Sequence, residues 1–373
     1  MSRKPSFGRR VMFNTALVVV LLAVLNLLAS VILDGRRIYR SLVLPSDERA
    51  GLPNYPDKQW ARQVLGEFNQ LETRYVPFVE WRRAEYHGKA VTVRPDGDRA
   101  MMPASTQAPV GTVRFFGGSA MWGTGVEDDQ TIPAFFNRLE PDFRVVNHGE
   151  SGFSTRQDLA QLVNLVNQNE PMDLVVSYDG NNDAVNYCRT DVEINGHVHA
   201  RKIERLLKPT SWIWNDLAGP LQELLSGKAL RRLLSDPGPY ATRCHQSAEY
   251  AQRVAETMVN NWKIARAVAR QGGADFIAIL QPVASLGSAR VDHLSPEDSS
   301  PRNEQALVYP IIQRLLAESG ADWAYDFTDI FDGDEYTYID VCHVTANGNR
   351  RVAERIDQIL GPRLRALVAR SRN

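Results

Sequence analysis

Only three cysteines stand in the 373 residues, Cys188, Cys244 and Cys342, and no two of them form a C-x-x-C pair. That excludes a dense disulfide framework and a cysteine-built zinc site. A charge of one sign is lacking as well: 43 Lys and Arg stand against 44 Asp and Glu, a net charge of −1. Nothing global therefore points to nucleic acid or to a strongly anionic partner. No repeat of fixed period and no low-complexity tract occurs, which removes solenoids and arrays from consideration. Nothing in the sequence implies a metal or an organic cofactor. What is present is ordinary core material, 43% hydrophobic and 23% charged, enough for one large domain with attachments.

The exception is one apolar run, Val11 to Leu33, which carries no charge and only Asn14, Thr15, Asn26 and Ser30 as polar residues. As a helix it reaches roughly 34 Å, sufficient for a hydrocarbon core of about 30 Å. The rival reading is a cleaved signal peptide, but signal h-regions are shorter and no small-x-small site stands near Ala29 and Ser30. An uncleaved single-pass anchor is expected. Arg3, Lys4, Arg9 and Arg10 precede the run, while Arg36, Arg37 and Arg40 follow it with Asp34. This slight excess puts the bulk of the chain outside the cytoplasm, in a periplasm or on the outer face of an inner membrane. There Cys188 and Cys244 could bridge the two ends of one insertion; three free buried thiols is the alternative. The pair His197 and His199 reads as an exposed loop pair.

The chain divides on composition into a tail (1–10), the anchor (11–33), a polar, proline-dotted stalk and lead-in (34–110) and a main domain (111–370). Within the last, TVRFFGG, FRVVNHG, MDLVVSYDG, ADFIAILQP and ADWAYDFT read as strands. TIPAFFNRLEP, TRQDLAQLVNLVNQN, NEQALVYPIIQRLLAES and a run from Thr345 read as helices. Such alternation predicts an α/β fold, a three-layer sandwich with helices on both faces of a mostly parallel sheet. Between 184 and 248 the rhythm breaks into an insertion that leaves from the end of a strand and so caps the same sheet edge or decorates it.

Chemistry-bearing residues collect after the strands. The first ends in Gly118-Ser119, the second in NHGESGFS with Gly152, the third in DGNND with Asn182, and YIDVCHVTANG holds Asp340 and His343. In a parallel sheet the carboxyl ends share one edge, so these blocks can converge. Ester cleavage needs a nucleophile, a base, a group that orients the base, and donors for the oxyanion. Ser119, His343 and Asp340 fit the first three. The Ser119 and Gly152 backbone N–H groups and the Asn182 amide fit the last; the adjacent Asn181 is the competing donor. Trp122 either lines an acyl or sugar pocket or packs under the turn, and His148 and Glu150 either meet substrate or serve the turn.

In these four blocks, over roughly residues 112–365, the sequence resembles the SGNH hydrolases, the GDSL-like esterases and lipases. The resemblance implies a Ser119, Asp340, His343 triad, an oxyanion hole of Ser119, Gly152 and Asn182, no metal, and an SGNH/flavodoxin-like sheet. Gly118 stands where the family usually has aspartate, as in membrane-anchored bacterial members whose block reads Gly-Gly-Ser. The G-x-S-x-G elbow of α/β-hydrolases is absent, since position 121 is Met. The expectation is a membrane-anchored serine esterase acting on carboxylic esters such as O-acyl groups of a cell-envelope or exported polysaccharide. The alternatives are an O-acyltransferase with the same triad and a silent polysaccharide-binding scaffold.

Overall fold

Short β-rich runs that end on glycine or asparagine and alternate with amphipathic helices build a five-stranded parallel sheet in the computed structural model of the chain, which describes residues 7–43, 47–102, 105, 107–207, 242–300 and 303–371. Its strands are β1 (Gly111–Gly117), β2 (Phe143–Asn147), β3 (Leu174–Asp179), β4 (Asp275–Leu280) and β5 (Ala324–Asp326). The spatial order is β2-β1-β3-β4-β5. The register sets Val113 beside Val145, Gly117 beside Tyr178 and Asp179 beside Leu280.

Strand alternation sorts the side chains between two cores. Val113 and Phe115 of β1, with Leu174, Val176 and Tyr178 of β3, face the helices Ile132–Leu139 and Ala346–Ser371 through Phe136, Val352, Ile356 and Leu360. Phe116 and Val175 point the other way, into Leu159, Leu162, Met258, Trp262 and Val308. Those come from Thr155–Asn167, Ala248–Gln271 and Glu304–Ser319. With both faces covered, nearly every residue of β1 to β4 is buried, while the edge strand β5 is not. The chain passes from β1 to β2 on one side and then to β3 on the other. Between β1 and β3 lies the topological switch point, where open α/β sheets form their ligand crevice.

The chain separates into two compact units. One comprises Ser46–His197 and Thr242–Asn373. It takes in the end of the stalk and lead-in, which folds into the helix Lys58–Gln70, the hairpin Thr73–Val76 with Glu80–Arg83, and the pair Tyr86–His87 with Thr92–Val93. It also takes in both ends of the insertion, because Ala184, Tyr187, Cys188 and Cys244 lie in its core. Cys188 and Cys244 are disulfide-bonded, with Cα atoms 5.1 Å apart, and Cys342 is a free buried thiol. The helix Ala248–Gln271, which packs on the sheet, is an element that sequence patterning did not single out.

The other unit, Met1–Pro45 with Val198–Ala241, contains among its described residues the helices Phe7–Val43 and Ala200–Leu207. Met12–Ile32 of the first is 21 residues, long and apolar enough to cross a membrane, about 32 Å as a helix. A signal sequence near the N-terminus can meet the same criterion of length and apolarity. Residues 208–241 of the insertion and 1–6 of the tail lie outside the described residues.

Candidate active site

Gly117, the last residue of β1, has φ 149°, and a Cβ there would run into the Tyr178 carbonyl oxygen on β3. A Cβ on Gly118 would run into the side-chain amide of Asn182. The two glycines therefore do more than turn the chain: they let the first and third blocks touch. Ser119 follows, opening the short helical turn Ser119–Trp122 that ends on Gly123 at φ 95°. A side chain at 118 would have to displace the end of the Asn182 side chain.

Across the sheet edge, His343 Nε2 lies 2.7 Å from Ser119 Oγ. The Asp340 carboxylate faces His343 Nδ1 with its two oxygens at 2.8 and 2.7 Å. A carboxylate only accepts, so Nδ1 carries the proton and the Nε2 lone pair is left for the serine hydroxyl. Asp340 Oδ1 also accepts from the backbone N–H groups of Cys342 (3.1 Å) and His343 (2.9 Å). The loop thus fixes the acid before the imidazole reaches it. Burial lowers the His343 pKa, but the adjacent Asp340 carboxylate outweighs it and pushes the imidazole up to about 10. Burial would raise Asp340, yet His343 and Arg49 hold it far below the ordinary carboxylate range.

The remaining blocks meet at the same seam. Asn182 Nδ2 donates to the Phe153 carbonyl at 2.7 Å, next to Gly152, so one amide joins the second block to Gly118. Its other N–H is available to a ligand. Gly152 has φ 79°, and the nearest atom to a Cβ there is Trp81 Cζ2 at 3.6 Å. Backbone conformation, not lack of room, therefore demands the glycine. Asn181 is held elsewhere, its Oδ1 accepting from Gln305 Nε2 at 2.6 Å. The structure thus brings Ser119, His343, Asp340 and Asn182 to one edge, with Gly152 beside them.

Three other residues singled out by position prove structural. Trp122 is fully buried under the Arg99 guanidinium, 4.3 Å from its ring centroid. Glu150 is fully buried and accepts from the backbone of Arg83 and Ser151. His148 is buried between Asp98 (2.7 Å) and Arg114 (2.8 Å). His197 makes an ion-pair contact of 3.1 Å with Glu80. Asp340, Cys342 and His343 put three possible metal-ligand atoms within 4.8 Å of one another. Both imidazole nitrogens are nevertheless engaged, Nδ1 with Asp340 and Nε2 with Ser119.

One residue at the site carried no sequence signal. Arg49, from the lead-in, donates through Nη1 to Asp340 Oδ2 at 2.6 Å. It lies in a polar stretch with no motif, and only the fold shows what it reaches.

No family model and no curated protein matches the chain. Solved structures to which its fold is similar include a lipolytic protein of the G-D-S-L family from Veillonella parvula (TM-score 0.38, 12% identity, covering 70% of this chain and 99% of that one). Another is a carbohydrate acetylesterase from Sinorhizobium meliloti (0.40, 14%, 67% and 98%), and a third is an aryl esterase from M. smegmatis (0.39, 14%, 67% and 100%). At such scores a likeness assigns neither activity nor substrate.

Proposed function

We propose that the chain is a serine esterase of the SGNH type, anchored to a membrane by Met12–Ile32, whose catalytic unit lies outside the cytoplasm and removes small O-acyl groups from a cell-envelope or exported polysaccharide. The observation that carries the chemistry is the Ser119 Oγ to His343 Nε2 contact of 2.7 Å with Asp340 behind it. Ser119 Oγ attacks the acyl carbon while its proton passes to His343 Nε2. The oxyanion takes hydrogen bonds from the Ser119 and Gly152 N–H groups and the free N–H of Asn182. As the C–O bond breaks, His343 returns the proton to the alcohol. Water, deprotonated by the same imidazole, then attacks the acyl-serine and releases the acid.

The anchor rests on the length and apolarity of the helix, and the outward orientation on the charges flanking it. The polysaccharide rests on the resemblance of the Gly-Gly-Ser block to membrane-anchored bacterial members of the family. The test is hydrolysis of a short aryl acetate, and then of acetylated polysaccharides, by the detergent-solubilised full chain and by its Ser119→Ala variant. We expect Ser119→Ala to lose at least about 10³-fold in rate while keeping the fold. A variant that retained the wild-type rate would overturn the assignment. Transfer of the acetyl group to an added sugar hydroxyl, in place of free acetate, would make the protein an acyltransferase.

A further inference from the structure

We propose that Arg49 is a positioning residue of this site, its guanidinium locked by Asp47 so that it holds the Asp340 carboxylate in the orientation that aims His343 at Ser119. The inference rests on the serine-esterase reading for its kinetic consequences, though not for its geometry.

Four donor groups of Arg49 are assigned. Nε and Nη2 form a two-pronged pair with Asp47, at 2.9 and 2.7 Å, and the Arg49 backbone N–H donates to the same carboxylate at 3.1 Å. This leaves Nη1 projecting to Asp340 Oδ2 at 2.6 Å. A bidentate arginine–carboxylate pair fixes the guanidinium plane as a lysine ammonium would not. The segment bearing it is tied both to this loop and to the one after Ser119: Asn54 Nδ2 donates to the Tyr338 carbonyl at 2.7 Å, and the Tyr55 hydroxyl to the Gly125 carbonyl at 2.9 Å.

Among the described residues, every other donor to Asp340 comes from its own loop, namely the N–H groups of Cys342 and His343 and the His343 ring. Arg49 reaches the Asp340 carboxylate itself from outside this loop, across 291 positions of sequence. Its charge matters too. The charged and titratable groups around the Asp340–His343 pair include Arg49, Asp47, Tyr55 and Cys342, with Tyr178, Tyr309 and Tyr338 beside Cys342 and His293 against the Tyr338 carbonyl; Arg49 is the cation bonded to Asp340. Without it the Asp340 charge is balanced by His343 only. The imidazolium is then favoured, and the neutral base is scarcer at any given pH.

The test compares the full chain with Arg49→Met, Arg49→Lys and Arg49→Ala. For Arg49→Met we expect kcat on an aryl ester to fall by about 10- to 100-fold, the usual cost of removing a group that orients a functional ligand. KM should stay within about twofold, and the ascending limb of the pH–rate profile should move to higher pH. Added guanidinium should restore part of the Arg49→Ala rate, and Arg49→Lys should recover the pH limb better than the rate. In an Asp340→Asn background Arg49→Met should cost nothing further. A full additional loss there, or an unmoved pH limb, would overturn the proposal. Titration of the His343 ring by NMR in the wild type and in Arg49→Met needs no turnover. An upward shift on removing Arg49 supports the assignment even if the wild type proves to be no esterase, and an unchanged titration refutes it.

Discussion

Asn181 and Asn182 are neighbours with the same side chain, held in opposite ways. Gln305 takes the Asn181 oxygen, whereas Asn182 donates to the Phe153 carbonyl beside Gly118 and Gly152. Of the two, Asn182 is the one that lies against Gly118, next to Ser119. We expect Asn182→Ala to lower kcat by about 10²- to 10³-fold, the range for one lost oxyanion donor, and Asn181→Ala to cost much less. Steady-state rates of the two variants decide it, and the reverse order would move the register by one. The base can be tested by pH. It works neutral, and Asp340 raises its pKa to about 10 against the lowering effect of burial. The rate should therefore climb with pH along a limb centred well above the ordinary histidine value of about 6.5. Asp340→Asn should move that limb toward acid and cost up to about 10⁴-fold in kcat. Ser119, Asp340, His343 and Asn182 were legible because each follows a strand or shares a tight loop. Arg49 was not, since a lone arginine gains meaning only from a partner 291 positions on.

At the scale of elements, three buried acids lie beneath the loops that shape the site, and two of them tie those loops by hydrogen bonds. Asp158 on Thr155–Asn167, Asp179 at the end of β3 and Asp183 on Asn181–Cys188 are all nearly inaccessible. Asp179 accepts from Trp262 Nε1 at 3.0 Å, and Asp183 accepts from the Thr155 hydroxyl at 2.6 Å. Burial raises all three; Asp158 is pushed further by the neighbouring Asp179 and Asp183, and Asp183 is pushed up to about 7. A carboxyl whose pKa is higher folded than unfolded holds a proton that the unfolded chain releases. Stability is then greatest below the unfolded value near 4 and declines as pH climbs through the folded one. Thermal melting should accordingly fall between about pH 5 and 8. Asp158→Asn should flatten that fall and raise Tm at pH 8 by about 2–4 °C, the shift that about 1 kcal/mol produces in a domain of this size. A steeper fall would contradict it.

Two helices escaped sequence reading for identifiable reasons. Ala248–Gln271 buries Val254, Met258, Val259 and Trp262 among four alanines and Asn261, an apolar stripe of helical period that directly follows the irregular insertion. Lys58–Gln70 buries Glu67, whose carboxylate accepts from the N–H groups of Lys89, Ala90 and Val91. That polar residue on the inner face breaks the period by which an amphipathic helix is recognised. The strands had no such interruption, and their parallel arrangement followed from the alternation.

For the whole molecule, the question is where it folds. Cys188 closes the helix Asn181–Cys188 and Cys244 lies just before Ala248–Gln271. Their bond therefore clamps two core elements across a sequence separation of 56. In the chain-entropy model a loop of that size is worth up to about 4 kcal/mol. The bond persists only in an oxidising compartment, which agrees with the proposed placement outside the cytoplasm. Replacing both cysteines by serine should lower Tm by about 10 °C or more, and reductant should do the same to the wild type while leaving the variant unmoved. The loss should occur with Ser119-dependent turnover still measurable at low temperature, because neither sulfur touches the Ser119–His343–Asp340 chain. If reductant left Tm unchanged, the bond would contribute nothing to folding. The argument for an extracytoplasmic unit would then stand on the charges flanking Val11 to Leu33 alone.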